Sequence, residues 1–171
     1  MTDATPFRVG QGWDSHRFVP ARQLWLGGVQ IPHDRGLAGH SDGDVLLHAL
    51  TDALLGALAL GDIGTHFPPE VEAWRDAASA QFVRHAVGLA QQRGWRIANV
   101  DAVVILERPK LAPFRPALQA AVASLLGVEV GQVSIKAKTP EGLPWADLAV
   151  AECVVLLYRP APAPTAPAIP V

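Results

Sequence analysis

Three side chains of the kinds that bind transition metals lie in two short segments of the N-terminal third of the sequence. Asp14 and His16 are separated by one residue, so their side chains point the same way from an extended segment. His48 lies within the apolar run VLLHAL, an unusual place for a histidine that only meets solvent. One carboxylate and two imidazoles leave a fourth tetrahedral position open, which is typical of a catalytic zinc site.

The residues around His48 have the spacing of a helix. Asp44, His48 and Asp52 are four residues apart, which places them along one helical face. The two carboxylates then either support a metal-binding histidine or form an ordinary polar face towards solvent. His40, in the loop before the helix, is a second histidine that can meet a metal or a ligand. Spacing alone does not decide between His40 and His48.

Several residues in turns have chemistry suited to a phosphorylated ligand. Asp62 follows Gly61 on a tight turn, where its carboxylate either accepts hydrogen bonds from substrate hydroxyls or serves only the turn. Lys138, Thr139 and Glu141 follow a predicted strand. Backbone N–H groups, a hydroxyl and an ammonium can together hold a diphosphate, and the carboxylate can hold a cation such as Mg²⁺. Lys110 lies on a loop beyond another strand, a common place for ligand contacts.

The composition argues against several classes of partner. Lys+Arg 14 against Asp+Glu 16 leaves the chain near neutral, without the basic run that would follow a nucleic-acid backbone. The longest apolar stretch, ALLGALAL, is too short to span a bilayer. The first residues have no pattern of a secretory signal, and the single cysteine, Cys153, lies in an apolar run that predicts a buried structural thiol. We therefore expect a cytoplasmic protein that binds neither nucleic acid nor membrane.

The motifs of common enzyme classes are missing from the sequence. It contains no Walker-type loop and no GxGxxG. The segment GHSDG, residues 39–43, has the letters of GxSxG, but it lies in the loop before a helix without the directly preceding strand that the nucleophile motif requires. Nothing in it suggests a protein nucleophile. This pattern indicates that the attacking group belongs to the substrate or to metal-bound water.

Helical and strand patterns alternate along the chain and predict an α+β fold, with a single mixed β-sheet and helices packed on one face. We expect one domain over residues 1–158 and a Pro/Ala-rich flexible tail over residues 159–171. The predicted strands are FRVGQG, LWLGGVQI, Val100–Glu107, QVSIKAK and LAVAECVVLLY. The predicted helices run from Asp44, capped by Ser41 or Asp42, to Gly61; from Asp76 to Arg93; and over PFRPALQAAVASLLG.

Four segments together resemble the 2-C-methyl-D-erythritol 2,4-cyclodiphosphate synthases of the non-mevalonate isoprenoid pathway. They are RVGQGWDSHRF, GLAGHSDGDVLLHALTDALLGALALGDIGTHFP, DAVVILERPKLAPF and VSIKAKTPEGL. The segments occur in the family's order over residues 7–158, and the central block is long and specific. The resemblance implies a small α+β subunit that forms a homotrimer with active sites at subunit interfaces.

The resemblance also implies a role for each matching residue. Zinc is assigned to Asp14, His16 and His48, and magnesium or manganese, bound with the substrate diphosphate, to Glu141. His40 and Thr139 are implied to be catalytic, acting on the charge and on the transferring phosphate. The implied substrate contacts are Asp14, His16, His40, Ser41, Asp62, Ile63, Gly64, Phe67, Lys110, Leu111, Ala112, Ala137, Lys138, Thr139 and Glu141. Of these, Asp62 and Gly64 would hold the methylerythritol hydroxyls. Lys110 to Ala112, with Ala137 to Glu141 of the neighbouring subunit, would hold cytidine diphosphate.

Three segments depart from the family pattern. FPPEVEAW has Pro69 and Val71 where aspartates are common in the substrate loop. Lys138 replaces a threonine found in many relatives and adds a positive charge beside the diphosphate. PWADLAVAE is shorter than the Arg- and Glu-bearing stretch of many members. The last departure puts in doubt any ligand bound along the trimer axis.

The implied reaction is intramolecular. In 4-diphosphocytidyl-2-C-methyl-D-erythritol 2-phosphate, the 2-phosphate attacks the β-phosphorus and expels CMP, which accounts for the missing nucleophile. Two other hypotheses are open: a zinc hydrolase of phosphoesters or nucleotides, and a non-catalytic trimer that binds nucleotides or terpenoid diphosphates. Both account for the metal ligands but not for the other matching segments.

Overall fold

The computed structural model describes residues 5–160. The predicted tail falls mainly on residues 161–171, which lie outside the described residues. Three short 3-10 turns, Glu72–Trp74, Ala112–Phe114 and Val130–Gln132, accompany the strands and helices. The strands and helices, in chain order, are β1 (Phe7–Pro20), β2 (Leu24–Leu26), β3 (Val29–Ile31), β4 (Arg35–Leu37), α1 (Val45–Ala57), α2 (Ile63–His66), α3 (Ala80–Gln92), β5 (Arg96–Ile105), α4 (Arg115–Leu126), β6 (Val133–Lys138) and β7 (Leu148–Tyr158).

Five of the strands form one mixed sheet in the order β4-β1-β7-β5-β6. The β5–β6 pair is parallel, and the other pairs are antiparallel. The predicted mixed sheet of an α+β protein is confirmed, but the prediction of a single sheet was wrong. The segment LWLGGVQI is a separate hairpin of β2 and β3, because Gly27 and Gly28 both have positive φ and form a tight turn that reverses the chain.

The long strand β1 lies between β4 and β7 in the sheet. It pairs with β7 from Phe7↔Tyr158 to Arg17↔Leu148. On the face towards α1, its residues Gly10 and Gly12 have no side chain. A Cβ atom at Gly12 would lie 2.0 Å from the carbonyl oxygen of Ala49, so α1 packs directly on the backbone of β1. This close approach brings the helix to the end of the strand that holds Asp14 and His16.

Helix α1 is capped by Asp44, and not by Ser41 or Asp42 as predicted. The fully buried Asp44 carboxylate accepts hydrogen bonds from the N–H groups of Gly27, Gly28 and Leu47, at 2.9, 2.7 and 3.1 Å. Burial raises the pKa of Asp44, and these three donors oppose that rise. One side chain thus starts the helix and attaches the β2–β3 turn to it.

Other helix boundaries differ from the predictions for local reasons. Helix α1 ends at Ala57, before the predicted Gly61, because the next three residues form a turn with Ala59 at positive φ. Helix α3 begins at Ala80 and not at Asp76, whose φ of 55° is incompatible with a right-handed helix. The predicted glycine cap of α4 is confirmed, since Gly127 adopts the left-handed conformation.

The core lies between the helices and one face of the sheet. Cys153 points into it from β7 and is completely buried. Burial raises the pKa of this thiol, so Cys153 stays protonated and is a structural residue, as predicted. No helix among residues 5–160 has the length and apolar character needed to cross a membrane.

Candidate metal centre and substrate cavities

Three ligand atoms meet where β1 passes α1. Asp14 Oδ2 lies 2.9 Å from His16 Nε2 and 3.0 Å from His48 Nδ1. The two ring nitrogens are themselves 3.0 Å apart. Zinc lies about 2.0–2.2 Å from nitrogen and oxygen ligands, so one ion can contact all three atoms at once. The donor set therefore fits a zinc ion, and its chemistry matches the open catalytic type of site.

The sheet and the helix each supply part of this triad, and their packing brings the parts together. Asp14 and His16 point from β1 to the same side as Gly10 and Gly12, by strand alternation. His48 comes from the first turn of α1, the helix that lies against those glycines. The three side chains are 26%, 19% and 12% exposed, so the site is largely shielded and open on one side.

The electrostatics of the triad favour an ionised carboxylate. Burial by itself raises the pKa of Asp14. Hydrogen bonds and charge interactions with His16 and His48 outweigh this rise, and the pKa of Asp14 lies well below its usual range. A carboxylate that is ionised and in contact with two imidazoles is ready to bind a cation.

The structure also answers the question that spacing left open between the two histidines. His48 belongs to the triad, whereas His40 lines the adjacent cavity. The Nε2 atom of His40 is buried and has no hydrogen-bond partner among the described residues. Such an atom is costly to leave unpaired.

The support of His48 by Asp44 and Asp52, one of the two alternatives that the spacing left open, is not observed. Asp44 caps the helix, and Asp52 accepts a hydrogen bond from the N–H of Ile63 at 2.7 Å. The contacts to His48 Nε2 come instead from two hydroxyls, those of Ser41 and Ser79, at 3.0 and 2.8 Å. The three residues do have helical spacing. However, both carboxylates accept hydrogen bonds from backbone N–H groups, Asp44 at the start of α1 and Asp52 in the connection from α1 to α2.

A cavity of about 290 Å³ opens beside the triad. Its walls bring together eight of the residues predicted to bind metal or substrate: Asp14, His16, His40, Ser41, His48, Ile63, Gly64 and Phe67. Four further residues complete the lining: Asp52, Pro69, Trp74 and Phe82. The Phe67 ring lies 4.4 Å from that of Phe82 and 5.1 Å from that of Trp74, measured between centroids. Sequence reasoning missed Trp74 and Phe82, because an aromatic residue on a loop or an apolar helix face gives no signal that separates a cavity wall from the core.

Asp62 is exposed and does not line this cavity. It caps the short helix α2, where its Oδ1 accepts hydrogen bonds from both the N–H and the hydroxyl of Thr65, each at 2.8 Å. The hydrogen bonds from Thr65 hold the pKa of Asp62 below its ordinary value. Of the two roles that the sequence left open, the turn role is the one that the structure displays. The neighbouring residues Ile63 and Gly64 reach the cavity.

A second cavity, of about 300 Å³, contains the other group of predicted residues. Its lining includes Lys110, Leu111, Ala112, Ala137, Lys138, Thr139 and Glu141. Both segments therefore line one cavity of a single chain, and their pairing does not require a second subunit. The Thr139 hydroxyl donates a hydrogen bond to Glu141 Oε1, and Glu141 adopts a positive φ of 49°. The remaining lysine, Lys136, pairs with Asp101 at 2.6 Å and is not a lining residue.

Comparison with known proteins identifies close relatives over most of the chain. A 2-C-methyl-D-erythritol 2,4-cyclodiphosphate synthase of Xanthomonas oryzae pv. oryzae is 56% identical over 137 residues, which is 80% of this chain and 84% of the relative. The enzyme of that name from Cereibacter sphaeroides is 54% identical over 136 residues, 80% of this chain and 86% of the relative.

Solved structures agree with these relatives. A 2C-methyl-D-erythritol-2,4-cyclodiphosphate synthase in a CDP-bound form has a TM-score of 0.84 at 43% identity, covering 88% of this chain and 99% of the other. A CDP complex of IspF from Plasmodium falciparum has a TM-score of 0.81 at 33% identity, covering 93% and 100%. The model of the YgbB family matches residues 7–158. The chain therefore belongs to the YgbB family, which confirms the resemblance to the 2-C-methyl-D-erythritol 2,4-cyclodiphosphate synthases.

Proposed function

We propose that the chain converts 4-diphosphocytidyl-2-C-methyl-D-erythritol 2-phosphate to 2-C-methyl-D-erythritol 2,4-cyclodiphosphate with release of CMP, in non-mevalonate isoprenoid biosynthesis. This makes it a phosphorus–oxygen lyase of the cytoplasm, formed by a single synthase domain over residues 1–158. The observation that carries the proposal is the triad of Asp14, His16 and His48 in the lining of a cavity of about 290 Å³. Family membership and the CDP-bound neighbours support it.

The two cavities suit the two ends of this substrate. The second cavity offers the ammonium groups of Lys110 and Lys138, the Thr139 hydroxyl and the Glu141 carboxylate, and would hold cytidine diphosphate. The first cavity, with its aromatic wall and the free Nε2 of His40, would hold the phosphorylated methylerythritol. Gly64, in the wall of this cavity, would contact the hydroxyls of the methylerythritol. The Asp62 carboxylate, which caps α2 outside the lining, would do so by exchanging its hydrogen bonds with Thr65 for ones to the substrate.

The chain's own residues would mainly bind and orient the substrate. Holding the 2-phosphate in line with the β-phosphorus converts the reaction into a preorganised ring closure, which removes much of the entropic barrier. When bound, zinc at the triad and Mg²⁺ or Mn²⁺ at Glu141 would supply Lewis-acid charge neutralisation for the phosphates. His40 would donate a hydrogen bond to the developing charge, and the Thr139 hydroxyl would donate one to the transferring phosphate.

An assay of CMP release tests this proposal. Turnover of the diphosphocytidyl substrate should fall by more than about a hundredfold after chelation and recover when zinc is added back, since a metal contributes several kcal/mol to transition-state stabilisation. Phosphorus NMR should show the cyclic diphosphate, without oxygen from labelled water. Solvent oxygen in the product would show a hydrolase instead, and CDP binding without turnover would show a binding protein.

We further propose that three copies assemble through the outer face of the sheet. On the side of β1 away from α1, three large apolar residues are more than half exposed: Phe7 at 55%, Val9 at 66% and Trp13 at 56%. Val154 on β7 continues this face at 39% exposure. Gln11 and Glu152, which are hydrogen-bonded to each other at 2.9 Å, lie among these apolar residues on the same face. Several large exposed apolar residues on one sheet face are typical of a subunit interface. This face lies on the same strand as Asp14 and His16 but on the opposite side of the sheet.

The assembly proposal predicts that Val9→Glu prevents association. In the assembly, each new carboxylate would be buried without a partner on a sheet face packed against another copy. The free-energy cost of this desolvation would exceed what the remaining apolar contacts of the interface contribute. Light scattering coupled to gel filtration should give about three times the mass of one chain for the wild type and one chain mass for the variant. Val130→Glu is the matched control, because Val130 is 49% exposed on a turn away from this face. A trimer that survives Val9→Glu at micromolar concentration would contradict the proposed interface.

A further inference from the structure

We propose that Ser79 and Asp42 are positioning residues of the metal centre: they hold the His48 ring so that Nδ1 faces the metal. The inference rests on the proposed metal site and adds two residues to it that do not touch the ion. Ser79 lies directly before α3 and is completely buried. Its hydroxyl is 2.8 Å from His48 Nε2. It also donates a hydrogen bond to Asp42 Oδ1.

The direction of this chain of hydrogen bonds follows from the groups involved. A carboxylate only accepts, so the single hydroxyl proton of Ser79 goes to Asp42. The hydroxyl oxygen then presents a lone pair to His48 Nε2. If Nε2 had no proton, two lone pairs would face each other at 2.8 Å. The favourable arrangement is Nε2–H donating to Ser79, which leaves the lone pair of Nδ1 free for the metal.

The same contacts fix the orientation of the ring. A half-turn of the imidazole would exchange Nδ1 with a carbon atom and remove a ligand from the triad. It would also leave both serine hydroxyls facing a carbon. Ser41 Oγ lies 3.0 Å from Nε2 as well and accepts a hydrogen bond from the Gly43 N–H. It contacts no carboxylate directly, and its hydroxyl can donate to Ser79 Oγ at 3.3 Å, since the Ser79 proton goes to Asp42. Ser79 is therefore the hydroxyl that determines which ring nitrogen carries the proton.

The position of Ser79 is itself secured by the backbone. Its N–H donates to Asp42 Oδ2 at 2.9 Å, so the Asp42 carboxylate binds Ser79 through both oxygens. Two backbone hydrogen bonds join the same segments: Asp42 N–H to the Ala77 carbonyl at 3.1 Å, and Asp76 N–H to the His40 carbonyl at 2.8 Å. The loop that forms one wall of the first cavity thus ends in a fixed contact with a metal ligand.

The test measures zinc affinity by competition with a chromophoric chelator, without any substrate. Ser79→Ala and Asp42→Ala should each weaken zinc binding by about 10–100-fold, the usual effect of removing the partner of a metal-binding histidine. Asp42→Asn keeps one of the two acceptor oxygens that hold Ser79 and should weaken zinc binding less than Asp42→Ala does. Thr51→Val is the matched control, since Thr51 is a buried hydroxyl of α1 that bonds only to the Leu47 carbonyl, at 2.7 Å.

A second measurement separates positioning from a loss of stability. Nitrogen-15 NMR of the zinc-loaded wild type should show the His48 proton on Nε2, exchanging slowly with water, and faster exchange in Ser79→Ala. Unchanged affinity and unchanged exchange in a folded Ser79→Ala or Asp42→Ala variant would overturn the inference while leaving the metal site intact. A wild type that binds no zinc would overturn the metal site, and this inference with it.

Discussion

Replacing His48 with alanine is expected to abolish zinc retention and reduce cyclase turnover by more than about a thousandfold, which corresponds to about 4 kcal/mol of transition-state stabilisation. The variant removes Nδ1, one of three donors that lie within 3.0 Å of one another. The two remaining ligands, Asp14 and His16, cannot hold an ion of this kind tightly. Metal analysis after dialysis and the rate of CMP release measure the two effects.

The fold should survive this substitution. His48 lies at the surface of the first cavity, and the structure around it is fixed by the Asp44 cap and the packing of α1 on β1. Circular dichroism and gel filtration should therefore match the wild type. His33→Ala is a suitable control, because His33 packs against Phe18 and pairs with Asp34, away from the triad. Full turnover by a His48→Ala protein that contains no zinc would refute the assignment of the metal ligand.

The second large effect is expected from a single methyl group at Gly12. A Cβ atom there would lie 2.0 Å from the carbonyl oxygen of Ala49 and 2.6 Å from the amide nitrogen of Ala53. Both are backbone atoms of α1, so no rotamer change relieves the clash. The helix must move away from β1, and the core between them opens. We expect Gly12→Ala to lower the free energy of unfolding by more than about 4 kcal/mol, or to prevent folding.

The same displacement should impair the metal centre, since it separates the triad's two supporting elements. Any folded fraction of Gly12→Ala should bind zinc weakly, even though all three ligands are present. Gly88→Ala provides the control: a Cβ at Gly88, in the middle of α3, has nothing within 4 Å. That substitution should stabilise the protein by up to about 1 kcal/mol, because alanine favours a helix over glycine. Urea titration of both variants measures the difference. Equal stabilities would show that α1 does not pack on β1 in this way.

Local patterns in the sequence predicted a large part of the fold. The helical periodicity after Asp44, the glycine cap at Gly127 and the apolar run around Cys153 predicted α1, α4 and β7 close to their observed positions. These features depend on contacts within a few residues, which a sequence displays directly. The hairpin of β2 and β3 was missed, because two glycines within an apolar run can be part of a strand or of a turn.

Boundaries that depend on distant contacts were less predictable. Asp44 caps α1 because the β2–β3 turn presents the N–H groups of Gly27 and Gly28 to the same carboxylate. Ser41 and Asp42 have equally good capping side chains, and they are used elsewhere. Which of three neighbouring polar residues begins the helix is therefore decided by a hairpin about 16 residues earlier in the chain.

The metal centre, too, was predictable from the sequence only in part. The sequence by itself determined the types of ligand and the Asp14/His16 pair, because alternation along a strand sets their direction. It left His40 and His48 undecided, as both precede or begin the same helix. Only the packing of α1 on the two glycines of β1 brought His48 Nδ1 to within 3.0 Å of Asp14 Oδ2. Ser79, which contacts His48 on its other side, and Asp42, which holds Ser79, come from two segments 37 residues apart. Their meeting depends on tertiary contacts that no local spacing records.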